Sequence, residues 1–221
     1  MNSNQYKIAG IGLLLFTILS IAHFSLIDLN ILVEEEMEKV YGYVKGNEGV
    51  FRFGIVLDLI LFSIGIGTFT AIYLILKPRF SFLALFAFSL ILVELAITIG
   101  VEITSFQILE LVNSRIPGEG DSNDLLMQLK WRSNGYLIVT VLFSFAMILI
   151  SWMLKRASII PLWMGWIGIV AFSGLGIAIV LNIIIPGNFL SWLGNVSSLI
   201  AMLFQLILGG YFLMKKSNNE E

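Results

Sequence analysis

The sequence predicts an all-α polytopic membrane bundle of six transmembrane helices, with both termini cytoplasmic and no soluble domain. Three observations carry that prediction. Hydrophobic residues make up 58% of the 221-residue chain and charged residues only 13%, against roughly 25% charge in a soluble domain. Six stretches come close to the ~20 apolar residues that cross a bilayer. Each stretch is continuous, without the period-two alternation of a transmembrane β-barrel strand.

The first stretch runs from about Ile8 to Ile27, the second from Phe53 to Leu76 and the third from Phe82 to Val101. The fourth runs from about Gly135 to Leu154, the fifth from Leu162 to Ile185 and the sixth from Leu190 to Met214. Pro78 and Pro186 follow the second and fifth runs, where proline favours a stop. Pro161 opens the fifth, where its missing N–H costs little. Ser20-Ile21-Ala22 loosely fits a signal-peptidase site. The thin charged region before it and the length of the apolar run favour a retained span. The whole chain reads as one transmembrane domain.

Lysine and arginine placement sets the orientation. Lys7, Lys77, Arg79, Lys155, Arg156, Lys215 and Lys216 crowd into two tight turns and two short tails on the predicted cytoplasmic side. Lys39, Lys45, Arg52, Arg115, Lys130 and Arg132 are spread through two longer outer loops, at about 28–52 and 113–134. In the first of these, apolar residues at Leu29, Leu32, Val33, Met37 and Val40 predict an interfacial helix. In the second, Pro117-Gly118 and Gly120-Asp121 are turn signals, and Leu125–Trp131 reads as a short amphipathic segment. The expected location is the cell membrane, crossed several times. A faint echo between the second and fourth helices, each ending in a lysine turn, fits an old duplication of a hairpin; convergent positive-inside turns explain it as well and are the favoured reading.

Composition excludes several chemistries. Cysteine is absent and His23 is the single histidine. Disulfides, thiol catalysis, iron–sulfur clusters and multi-histidine metal sites are therefore out. No cofactor and no metal are expected. With net charge −2 and no basic block, nucleic acid is not an expected partner. The expected partners are the lipid bilayer and a small-molecule or lipid ligand; the sequence names no protein partner. There is no P-loop or dinucleotide fingerprint. A Ser-His-acid triad would have to use His23, and no serine is marked as a nucleophile. Glu34-Glu35-Glu36 reads as a solvated acidic patch.

The informative residues are ionisable groups inside the spans, each costing about 2.5–3.5 kcal/mol on insertion scales. His23 lies ~6 Å, Asp58 ~8–10 Å and Glu94 ~10 Å from the outer ends of their helices, taking ~1.5 Å per residue. Glu102 sits at an outer boundary. If their helices are neighbours, these side chains can meet. Glu94, Thr98, Glu102 and Ser105 share one helix face. The second helix presents Gly54, Asp58 and Gly65 together, the fourth Tyr136, Thr140, Ser144 and Ser151, and the sixth Ser191, Gly194, Ser198, Ala201 and Gln205. Faces of this kind point inward and predict a polar recess open to the outside. The bland alternatives are helix packing for the small residues and snorkelling to the headgroups for His23. For Asp58, spacing favours an interhelical pair over Arg52 on its own helix.

Asn47-Glu48-Gly49-Val50-Phe51-Arg52-Phe53-Gly54-Ile55-Val56-Leu57-Asp58-Leu59 resembles the segment that opens the second helix of a bacterial and archaeal membrane family, domain of unknown function 4386. Lys7-Ile8-Ala9-Gly10, Leu92-Val93-Glu94, Gly135-Tyr136-Leu137-Ile138 and Pro161-Leu162-Trp163-Met164-Gly165 resemble further segments of it. Members often carry a histidine just before the Gly-Tyr of the fourth helix; this chain reads Arg132-Ser133-Asn134 there. The resemblance spans nearly the whole chain. It implies six transmembrane helices and no known activity, and it singles out Arg52, Asp58 and Glu94.

The expected function is ligand binding or transport of a small molecule, lipid, proton or cation through the polar recess. Asp58 and Glu94 are the responsive groups, with Arg52, Glu102 and His23 at the mouth. The alternatives are a membrane-embedded enzyme acting on a lipid, with a groove opening sideways, and a structural or partner-binding subunit.

Overall fold

The computed structural model describes residues 3–28, 37–114, 122–185 and 188–215. These form seven helices and, among the described residues, no strand. They are α1 (Ser3–His23), α2 (Met37–Gly46), α3 (Glu48–Leu76), α4 (Ser81–Ser114), α5 (Ser122–Arg156), α6 (Leu162–Ile184) and α7 (Asn188–Met214). A π-helical turn, Phe24–Asp28, extends α1. All but α2 are long and apolar enough to cross a membrane. The chain is a multi-pass membrane protein.

Consecutive long helices pack side by side, and α7 packs back on α1, so the six close into a ring. Small residues close the last seam. A Cβ built on Gly10 would lie 2.8 Å from the Gly209 carbonyl oxygen, and one on Gly209 3.1 Å from that of Gly10. Close backbone approach through small residues is how helices associate where lipid removes the hydrophobic drive. The Thr17 hydroxyl adds a 2.8 Å hydrogen bond to Gln205 Oε1 across the same seam. The small pairs at Gly174 and Gly194 pack as helix contacts too, against Ser197 and Ala178.

The ring is filled. Phe16, Phe69, Phe143, Phe172 and Phe204 come from five different helices and touch edge-on or stacked, with centroids 5.8–6.4 Å apart. These are favourable aromatic geometries. They join an apolar core that reaches the end of the bundle holding the chain termini. Two tight turns lie at that terminal end. The second ends α5 in a Schellman motif: Ile159 N–H bonds Leu154 O and Ser158 N–H bonds Lys155 O, both at 3.0 Å. Ser158 takes the left-handed conformation at φ 53° that the motif requires. Arg79 donates to Ala157 O, and Lys215 Nζ to Ile159 O at 2.5 Å, binding the turns and the end of α7 together. Burial, then the Arg79 charge, lowers the Lys215 pKa from its ordinary value.

The opposite, loop end differs from the sequence expectation. α4 continues past Val101 to Ser114, and α5 begins at Ser122, well before Gly135. With 34 and 35 residues, each is ~50 Å long, against a hydrocarbon core of ~30 Å. Much of the predicted second outer loop is therefore helix. Its apolar residues Leu125 and Leu129 bury against Ile108, Leu109 and Val112 of α4 and against Val40 and Val44 of α2. That second apolar cluster gives the helices a reason to continue. The turn signals at 117–121 and residues 29–36 of the predicted interfacial helix lie outside the described residues; α2 covers its last part.

Candidate functional site

Gly54 is one turn before Asp58 on α3. A Cβ there would meet Ile27 Cγ1 at 2.5 Å and come within 3.6 Å of His23 Nε2. The missing side chain lets the end of α1 settle on α3. His23 Nε2 then lies 2.8 Å from Asp58 Oδ2, with both side chains buried. His23 therefore does not reach for the headgroups, and Asp58 takes an interhelical partner. The Tyr43 hydroxyl of α2 donates to the Leu26 carbonyl in the π-helical turn beside this pair.

The next link is on α4. The Glu102 and Asp58 carboxyls are close enough to interact. Glu102 Oε1 accepts from Arg132 Nη1 at 3.0 Å and from the Tyr136 hydroxyl at 2.8 Å. Its Oε2 accepts from the Ser105 hydroxyl at 3.0 Å. Arg132 also donates to Ser105 Oγ and, through Nη2, to the Tyr136 oxygen at 3.0 Å. Its guanidinium lies 5.0 Å from the Tyr136 ring centroid. Arg132 is 0% exposed and Glu102 5%. One chain of polar contacts, His23–Asp58–Glu102–Arg132, thus ties α1, α3, α4 and α5.

Glu94 stands apart from this chain. It is two turns of α4 below Glu102 on the same face, ~12 Å along the axis. Its Oε1 is 3.4 Å from the Thr98 hydroxyl. Its Oε2 is buried and has no hydrogen-bond partner among the described residues. Arg52 is elsewhere: its Nε and Nη2 pair with Glu48 Oε1 at 2.8 and 2.7 Å on an exposed surface. Glu48 also accepts from Asn113 Nδ2 at 3.3 Å, linking α3 to the far end of α4. Of the five candidate residues, the structure brings together His23, Asp58 and Glu102. It leaves Glu94 below them and Arg52 at the surface. The groups it brings together are buried rather than lining an open recess.

The sequence places Arg132 in an outer loop; the structure puts it on α5, paired with Glu102, a place sequence reasoning misses. The signal was available: Arg132, Tyr136 and Thr140 are spaced four apart, continuing the polar face of the fourth span backwards. Among the described residues, no three His, Asp or Glu side chains gather to hold a metal ion.

On the outer flank of the α4–α5 seam, separate from this chain, lies a cavity of ≈ 730 Å³. Ile97, Ile138 and Met127 give it apolar walls, and Thr104, Asn123, Lys130 and Asn134 bring polar groups. Among the described residues, no carboxylate lines it.

A family described as Domain of unknown function (DUF4386) matches residues 8–215. The chain belongs to that family. No curated protein and no solved structure matches it. Within this DUF4386 protein, the segment around Asp58 that resembled the family is the one that docks α1, and the Gly135-Tyr136 segment is the one that meets Glu102.

Proposed function

We propose that this DUF4386 protein binds or transports a proton or small cation across the cell membrane, with both termini in the cytoplasm. The observation that carries the reading is Glu94: a buried carboxyl oxygen without a partner among the described residues, in a protein whose other buried acids, Asp58 and Glu102, each have a basic partner. Intramembrane acids are costly and are functional by default. Glu94, Thr98 and Glu102 form a polar file along one face of α4, and the His23–Asp58 pair adds a second place for a proton. Burial of all these groups is, on this reading, an occluded state. Arg132 holds Glu102 and keeps the file closed at the loop end.

The test is flux in proteoliposomes loaded with a pH-sensitive dye. Wild type is expected to dissipate an imposed proton, sodium or potassium gradient faster than empty vesicles, and Glu94→Gln to fall to the empty-vesicle rate. Wild-type vesicles that match empty ones for all three ions would overturn the reading. Orientation has its own test, because the chain lacks cysteine. A membrane-impermeant maleimide on intact cells is expected to label Asn113→Cys and to leave Arg156→Cys unlabelled.

A lipid-modifying enzyme is the second reading, favoured by the presence of a cavity at the α4–α5 seam. Asp58 and Glu94, the acids that would do its chemistry, are not among the described residues of the cavity lining. The cavity is better suited to holding a lipid than to cleaving one.

A further inference from the structure

The groove between α4 and α5 has a floor, walls and a polar end, each set by particular residues. Its floor is the seam itself. A Cβ on Gly135 would meet Val101 Cγ2 at 2.2 Å, so a glycine is needed for the helices to touch there. Gly100, one residue along α4, is different. A Cβ there meets nothing within 4 Å, and the residue lines the cavity. A glycine inside a helix costs about 1 kcal/mol relative to alanine. At Gly100 no packing contact accounts for that cost; the missing side chain leaves groove volume open.

The polar groups are unevenly placed. Asn123 is in the first turn of α5 and Lys130 two turns further on, both toward the loop end. Ile97 and Ile138 lie deeper, toward the middle of the bundle. Trp131, 66% exposed, stands beside Lys130, and tryptophan favours the headgroup level of a bilayer. The volume is within the ~300–1,000 Å³ of small-ligand pockets. A cation and amides at the headgroup level, apolar walls below and, among the described residues, no carboxylate in the lining complement an amphiphile with an anionic head and a hydrocarbon tail.

We propose that the α4–α5 groove is a binding site for one anionic phospholipid of the surrounding bilayer, with its phosphate on Lys130 and an acyl chain descending past Gly100 to Ile97 and Ile138. This site is independent of the proton or cation reading, because the groups of the two do not overlap.

The experiment is native mass spectrometry of the full chain released from micelles doped equally with phosphatidylglycerol and phosphatidylcholine. Wild type is expected to retain one phosphatidylglycerol in preference to phosphatidylcholine. Lys130→Gln is expected to weaken retention about fivefold, the size of one lysine–anionic lipid interaction, and Lys130→Arg to restore it. Gly100→Leu extends into open space, so the fold tolerates it, and retention is expected to be lost because the groove is filled. Lys45→Gln on α2 is a control expected to change nothing. Equal retention of the two lipids, or retention unaffected by Lys130→Gln or by Gly100→Leu with helix content unchanged, would overturn the proposal. Loss of ion flux in Glu94→Gln with lipid retention intact would separate this site from the polar file.

Discussion

Toward the termini, Phe16, Phe69, Phe143, Phe172 and Phe204 fill the ring with aromatic contacts from five helices. Toward the loops, α1, α3, α4 and α5 meet through His23, Asp58, Glu102 and Arg132. The two regions share α1, α3 and α5 and use opposite chemistry. In lipid, apolar side chains gain little from leaving their solvent, so aromatic packing works through close van der Waals contact and shape. A buried charge behaves differently, because removing its partner leaves an uncompensated ion. The aromatic half therefore tolerates a change in proportion to the volume lost. The polar half responds to which partner is lost.

That contrast breaks first at Arg132. Arg132→Ala leaves Glu102 buried without its cation and is expected to cost about 3–5 kcal/mol, read as a shift of the unfolding midpoint in mixed detergent–SDS micelles. Arg132→Met combined with Glu102→Leu is expected to recover most of that loss. A double mutant as unstable as the single one would mean that packing, and not charge, holds the loop end. Next is Phe172→Ala in the aromatic half, expected to cost about 3 kcal/mol through the cavity it leaves. Here no second substitution that merely removes polarity should rescue it, so the same titration distinguishes the halves.

Smaller effects sharpen the comparison. Gly135→Val drives a methyl into Val101 and is expected to cost about 1–3 kcal/mol by overpacking, with α4–α5 separation visible as a longer spin-label distance between Asn113 and Lys130 sites. Thr17→Val removes the hydroxyl bonded to Gln205 across the α1–α7 seam and is expected to cost about 0.6 kcal/mol, the mean for interhelical bonds in a membrane bundle. The smallest is Glu94→Gln. Among the described residues no cation pairs with Glu94, so the stability of the variant is expected to stay within about 0.5 kcal/mol of wild type, while flux is lost. A large destabilisation at Glu94 would make it a packing residue and place it with the aromatic half.

Much of this was legible in the residues one at a time. Asp58, Glu94, Glu102 and His23 announce themselves because the cost of a polar group in hydrocarbon is a property of the residue and its depth. Arg132 did not, because an arginine just before an apolar run reads equally well as a loop cation. Its role depends on α5 starting at Ser122, and that start depends on Leu125 and Leu129 finding α4 and α2. Arg52, expected at the mouth of a recess, instead pairs on an exposed surface with Glu48 one turn before it. The groove at Gly100 was invisible for the same reason as Arg132, since a glycine in a span reads as packing until its neighbours are known.

By itself the sequence determined the class, the six spans and the polar residues that needed a partner. Continuous apolar length and the cost of buried charge are local quantities, set by composition along the chain. Only the tertiary structure decided the ring order, the length of α4 and α5, the pairing of His23 with Asp58 and of Glu102 with Arg132, and the isolation of Glu94. Those depend on which helix faces which. In a bilayer that choice is made by close contacts such as Gly54 on Ile27 and Gly135 on Val101, between residues far apart in the chain.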